Sequence, residues 1–181
     1  MLTPKQYYAN YQADNNLCPL NHAVVDEVLK FNPDYVFEFG SGTGKNLKLI
    51  QQKQTEIARS NISVAGLDLS FINTIISRAK NDLPLTMCGD EYHLRHLTNF
   101  DVVFTVSVLD HIEDINGIIT EFKRISNKGI VLAETNSKED NYYYRHNYEL
   151  YTFKEIGFKW HSPDDDCTYK IWTWNKFEEL T

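Results

Sequence analysis

The stretch VFEFGSGTGKN, residues 36–46, decides the reading of the chain. An apolar run carrying Glu38 passes directly into glycines at 40, 42 and 44, ahead of a helix-like segment. Glycine takes positive φ at little cost and lets the backbone approach a ligand closely, so a strand-to-helix turn of this composition marks the ligand crevice at the strand ends of an α/β sheet. The spacing is G-x-G-x-G. In the dinucleotide fingerprint G-x-G-x-x-G, which sets a pyrophosphate on the helix N-terminus, the third glycine would fall where Lys45 stands. A carboxylate at position 38 points the other way, because it attracts a cationic ligand and repels a diphosphate. A plain tight turn would need neither the acid nor three alternate glycines.

Outward from this turn, strand-like and helix-like segments alternate. Short β-branched or aromatic runs occupy residues 35–39, 62–67, 85–88, 101–107 and 129–133; apolar residues at helical spacing occupy 20–30, 46–59, 71–81, 114–125 and 147–156. Residues 158–161 and 169–174 flank the turn-like SPDDD segment, 162–166, and read as two further strands paired antiparallel. The pattern predicts an α/β fold with a doubly wound, mostly parallel seven-stranded sheet and an antiparallel C-terminal strand.

With 181 residues and 42% hydrophobic content, the chain suffices for one domain, residues 20–181, preceded by a segment 1–19. Tyr7, Tyr8 and Tyr11 share one helical side of that segment, where they either form a lid over the ligand or pack on the sheet edge. The balance of 18 basic and 25 acidic residues gives a net charge of -7 with no basic stretch, which disfavours a nucleic-acid partner. Cys18, Cys88 and Cys167 stand far apart and favour neither a disulfide framework nor a zinc site. No run approaches the ~20 apolar residues of a membrane span, and no apolar signal core opens the sequence, so a cytoplasmic protein without membrane attachment is expected.

Further acids fall at the ends of the strand candidates. Asp68 can accept both hydroxyls of a ribose or, like Ser70, cap the following helix. Asp90 can receive the exocyclic amine of an adenine, with Leu69 packed on the ring, or can cap a helix itself. The fourth strand delivers Ser107, Asp110, His111 and Asp114 beyond its end, where a second substrate would sit. His111 suits a general base, or a residue that orients the loop backbone. A nucleoside bearing an ammonium and a sulfonium, S-adenosylmethionine (SAM), matches the glycine spacing and the acid together. His93 and His96 share a helical face without a third metal-ligating partner at useful spacing, so no metal site is expected.

Across residues 20–135, the glycine loop, Asp68, Asp90 and SVLDHIED together resemble the class I SAM-dependent methyltransferases of small-molecule type. Their fourth strand commonly continues into a "vLeHi.D" pattern, met here by Val108, Leu109, Asp110, His111, Ile112 and Asp114. The resemblance implies that Glu38, Gly40, Ser41, Gly42, Thr43 and Gly44 surround the methionine end of SAM. It places Asp68 and Leu69 at the nucleoside, Asp90 at the adenine and Ser107 beside the cofactor. It further implies methyl transfer to an oxygen or nitrogen of a small-molecule acceptor, with His111 or Asp110 as the base. The N/D-P-P-Y motif used on flat amino groups is missing, and no sizeable insertion follows the fifth strand. In its place, Tyr142, Tyr143, Tyr144, Arg145 and His146 form an aromatic, partly cationic run, readable as an acceptor wall or as simple packing; with Tyr7 and Tyr11, the members Tyr143, Tyr144 and His146 are the candidate acceptor contacts. The competing expectations are a protein or carrier-bound acceptor, a SAM-binding partner subunit without turnover, and, less compatible with the glycine spacing, a nicotinamide-dependent oxidoreductase.

Overall fold

The computed structural model describes residues 13, 16–56, 61–135, 144–163 and 167–179. In chain order these form α1 (Pro19–Lys30), β1 (Tyr35–Phe39), α2 (Lys45–Glu56), β2 (Ser63–Asp68), α3 (Phe71–Asn81), β3 (Thr86–Cys88), β4 (Phe100–Val106), α4 (Asn116–Ile125), β5 (Ser126–Thr135), β6 (Lys154–His161), β7 (Thr168–Asn175) and the single turn α5 (Lys176–Glu179). Three 3-10 turns, Glu91–His96, Leu109–His111 and Tyr148–Tyr151, lie between them. The strands make one sheet in the order β3-β2-β1-β4-β5-β7-β6. β1 to β5 run parallel, and β7 runs antiparallel to both β5 and β6. The seven-stranded, mostly parallel sheet with an antiparallel strand near its C-terminal edge is thus as expected.

The period of two along each strand explains why helices cover both faces. Val36, Val102, Phe104 and Val131 point to the side closed by Val24, Val25 and Val28 of α1 and Leu47 and Ile50 of α2. Their neighbours Phe37, Val103, Ile130 and Leu132 meet Ile118, Ile119 and Phe122 of α4 on the other side. The strand order reverses between β1 and β4, so the glycine turn after β1 and the loop after β4 flank the switch point at which sheets of this kind bind ligands.

α3 inverts the usual pattern. It buries Asn73, Thr74 and Ser77 and exposes Phe71, Ile72 and Ile75, because its inner face lies on the glycine turn and Asp68 rather than on an apolar core: a Cβ at Gly44 would stand 2.6 Å from Ser77 Oγ.

The helix expected over 147–156 does not form. Asn147 caps only the 3-10 turn Tyr148–Tyr151, and Thr152 then adopts φ +68. From Lys154 the chain pairs with β7, Lys154 opposite Thr173 and Glu155 opposite Trp172. Tyr148 and Phe153 are both buried, and the sheet edge gives the following residues a ladder that outcompetes helical propensity. β5 also extends beyond the expected 129–133 and so takes in Glu134. Among the described residues no helix is long and apolar enough to cross a membrane.

Candidate functional site

Gly40, Gly42 and Gly44 all have positive φ, at +72, +53 and +83, as the sequence spacing required. Between them the backbone closes on itself and on β2. The Gly40 and Ser41 N–H groups donate to Leu67 O, and the Gly44 N–H donates to Ser41 O. The Gly42 N–H donates to Asp68 Oδ2 at 2.7 Å. With these four N–H groups engaged inside the protein, the turn is poorly equipped as a phosphate cradle, which needs them aimed at the ligand. Gly66, in the middle of β2, allows the close approach: a Cβ there would stand 2.6 Å from Ser41 Oγ.

Glu38 lies at the floor of the turn, 1% exposed. A buried polar chain holds it: the Cys18 N–H donates to Asn21 Oδ1, Asn21 Nδ2 to Asn46 Oδ1, and Asn46 Nδ2 to Glu38 Oε1 at 2.6 Å. Among the described residues, its second oxygen, Oε2, meets no donor. Burial pushes this carboxyl up to about 8, against the pull of the Asn46 hydrogen bond and the Lys45 charge. A buried acid with one oxygen unanswered is what a cationic group of a ligand would satisfy. Asn21 and Asn46 escaped the sequence reading, although Asn46 closes the motif itself.

Asp68 ends β2 with three donors on its carboxylate: the Gly42 N–H, the Ser70 N–H at 2.8 Å and Asn73 Nδ2 at 3.2 Å. Burial raises its pKa, and these donors offset part of that rise. The cap of α3 is Ser70, which accepts from the Asn73 N–H. Asn73 Oδ1 accepts the N–H of Ala13, whose Cβ lies 3.2 Å from where a Gly42 Cβ would stand. The chain ahead of α1 therefore crosses the mouth of the turn at residue 13. Asp90 caps the 3-10 turn Glu91–His96 through the Tyr92 N–H and meets His93 Nδ1 at 2.9 Å. Leu69 is half-buried between these acids.

The facing wall follows β4. Ser107 adopts φ +55, and its hydroxyl meets Tyr169 Oη at 3.3 Å. Val108 packs against Gly40, since a Cβ on that glycine would come within 2.2 Å of a Val108 methyl; the two loops are in contact. Asp110 is fully buried, and His111 Nε2 lies 3.5 Å from its Oδ1. Burial raises Asp110 to about 6, with His111 opposing the rise. The backbone is clamped from several sides. The Val108, Leu109 and Asp110 N–H groups converge on Glu134 Oε2 at 2.9, 3.1 and 3.4 Å. The Tyr144 N–H donates to Asp110 O, and His146 Nε2 donates to Leu109 O and Ile112 O. His146 is thus a fastener of the loop, and Arg145 is exposed.

The structure brings together Glu38, Gly40, Ser41, Gly42, Thr43, Gly44 and Asp68 on one wall and Ser107, Asp110 and His111 on the other. Tyr7, Tyr8, Tyr11, Tyr142 and Tyr143 lie outside the described residues. Glu134 was missed because it stands at the end of an apolar run. A cavity of 440 Å³ lined by Glu27, Lys30, Phe31, Lys154 and Trp174 among others lies at the opposite end of the sheet, where Asn175 pairs with Gly129 at the start of β5, and shares no residue with this crevice.

A sequence profile described as a methyltransferase domain matches residues 10–168. No match is found among curated protein sequences. Among solved structures, the fold resembles magnesium protoporphyrin IX methyltransferase from Synechocystis PCC 6803 with bound SAM, at TM-score 0.66 and 14% identity over 97% of this chain and 98% of that one. It also resembles the methyltransferase domain of bacterial CtHen1 (TM-score 0.60, 15% identity, 88% and 100% covered) and TehB from Haemophilus influenzae (TM-score 0.63, 15% identity, 84% and 60% covered).

Proposed function

The chain belongs to the methyltransferase-domain family, and from that premise we propose that it transfers a methyl group from SAM to an oxygen or nitrogen of a small-molecule acceptor by direct in-line displacement. The observation that carries the cofactor assignment is Glu38, an almost fully buried acid with one oxygen unanswered among the described residues, beneath a turn of which four N–H groups are already engaged. SAM supplies an electrophilic methyl on a sulfonium, an excellent leaving group, so the protein's task is to position the acceptor and exclude water.

Glu38 holds the ammonium, and the positive-φ glycines leave room for the methionine end. Asp68 takes the ribose hydroxyls, which compete with Asn73 Nδ2, the longest of its three contacts. Asp90, fixed by its capping bonds, takes the adenine amine, with Leu69 on the ring. Ser107 borders the cofactor from the facing wall. His111 receives the proton of an acceptor that arrives protonated, and Asp110 behind it orients the imidazole and compensates its charge. Tyr144 lines the acceptor side, with Tyr7, Tyr11 and Tyr143 as its further contacts and His146 holding the loop. A small-molecule acceptor is supported by the acidic net charge and by the likeness in fold to the Synechocystis enzyme, which is itself named for magnesium protoporphyrin IX.

Calorimetric titration with S-adenosylhomocysteine and, in parallel, NAD tests the reading. Micromolar binding of the former alone is expected; binding of NAD alone, or of neither, overturns it.

A further inference from the structure

The acids behind His111 outnumber what the proposed reaction needs. Glu134, at the end of β5, and Asp110, after β4, are both 0% exposed; the Asp110 N–H reaches Glu134 Oε2 at 3.4 Å, so the two carboxyls are neighbours and each acts on the other. Two carboxylates side by side without solvent cannot both ionise, so the pair holds a proton near neutrality. Glu134 Oε2 already accepts from three backbone N–H groups, whereas among the described residues Glu134 Oε1 meets no donor and Asp110 is approached by the Thr135 backbone and, at 3.5 Å, by His111 Nε2. A proton on Glu134 Oε1 lets the two carboxyls share a hydrogen bond in place of mutual repulsion.

We infer that Glu134 is a positioning residue that works in its neutral form: one oxygen pins the Val108–Asp110 backbone, and its O–H donates to Asp110, holding that residue as the anion that orients His111. The inference rests on the reading of His111 as the proton acceptor.

The surroundings favour this placement of the proton over the reverse. His111 acts on Asp110 and lowers its pKa. The groups acting on Glu134 are Asp110, which raises it further, and the three N–H donors, which do not undo its burial; it stays well above the usual carboxylate range. On the remaining side stands Tyr148, buried on the turn after residue 147. Burial is the main cause of its raised pKa, followed by Glu134, Asp110 and Tyr151. The His146 ring lies 5.9 Å from that of Tyr148, and its Nε2 is engaged by loop carbonyls. The proton therefore rests on Glu134, and negative charge is held on Asp110, 3.5 Å from His111 Nε2.

Glutamine is the uncharged copy of the proposed state: its carbonyl accepts the three N–H groups and its amide donates to Asp110. The infrared difference spectrum between the full-length wild type and Glu134→Gln at neutral pH should show the loss of one protonated-carboxyl stretch, with the carboxylate bands unchanged. Glu38, present in both proteins, cancels. Glu134→Gln should also melt like the wild type at neutral pH, whereas Glu134→Ala, which strands the loop donors, should melt lower at every pH. Loss of a carboxylate band in place of the protonated one, or a Gln variant as destabilised as Ala, overturns the inference. These readings need neither SAM nor an acceptor, so a wild type that fails to bind S-adenosylhomocysteine would refute the cofactor assignment while leaving the result on Glu134 intact.

Discussion

At the scale of the residue, Glu38 converts burial into a measurable proton linkage. In the free protein its carboxyl lies at about 8, so at pH 7 it is mostly protonated; a ligand ammonium beside Oε2 would favour the anion. Binding of S-adenosylhomocysteine at pH 7 should therefore release close to one proton, seen as a dependence of the calorimetric heat on the ionisation enthalpy of the buffer, and Glu38→Gln should abolish that dependence. Equal heats in phosphate and Tris would remove Glu38 from the ammonium. The same shift affects folding. A carboxyl raised from 4.5 to about 8 keeps its full contribution below pH 4.5 and loses it as pH climbs to 8, because the unfolded chain ionises first. Over that window the wild type should lose about 1.4 kcal/mol per pH unit relative to Glu38→Gln, checked by denaturant unfolding at pH 5, 7 and 8. Glu38 could be singled out in the sequence because the glycine turn follows it directly, whereas its hydrogen-bond partner Asn46 could not. Nor could Glu134, because the N–H groups that justify its burial belong to residues 108–110 and reach it only through the pairing of β4 with β5.

At the scale of the element, the three glycines of one turn meet different neighbours. Alanine at any of them carries the cost of a positive φ, on the order of 1 kcal/mol. At Gly40 it also strikes a Val108 methyl at 2.2 Å, and at Gly44 it strikes Leu83 at 2.3 Å and Ser77 at 2.6 Å, while at Gly42 the nearest atom is Ala13 Cβ at 3.2 Å. Gly40→Ala and Gly44→Ala should thus lower stability by roughly 2–4 kcal/mol, the overpacking adding to the strain. Gly42→Ala should lose only about 1 kcal/mol, and the bulkier Gly42→Val should abolish S-adenosylhomocysteine binding. Urea midpoints and calorimetry separate the two effects, and a Gly42→Val protein of normal affinity would refute the assignment of the loop. β1, α4 and the glycine turn could be read from local pattern because their burial follows their own periodicity or backbone need. The segment after residue 147 could not: its apolar residues fit a helical pattern, yet the edge of β7 and the left-handed Thr152 determine the outcome. The same limit hides the inward polarity of α3, whose buried Asn73 and Ser77 answer to the loop they cover.

At the scale of the whole molecule, the order β5-β7-β6 inserts the last strand between two earlier ones, so the C-terminal hairpin cannot leave without opening the sheet. Both layers run through it: Ile171 shares a cluster with Val36 and α1, and Trp172 and Trp174 share the other with Phe37 and α4. Trp172 also meets the Tyr148 ring at a centroid distance of 4.7 Å, tying the sheet to the turn beside Glu134. All three tryptophans, Trp160, Trp172 and Trp174, lie on β6 and β7, while much of the helical signal comes from α1 to α4. Fluorescence and far-ultraviolet circular dichroism therefore report opposite parts of one core, and their urea transitions should coincide, as for a two-state domain. Trp172→Ala should lower stability by about 3–5 kcal/mol and shift both transitions together. If the fluorescence transition came first and left the helical signal in place, the hairpin would be a separable unit, and the clamp on the loop after β4 could not draw its rigidity from the sheet as a whole.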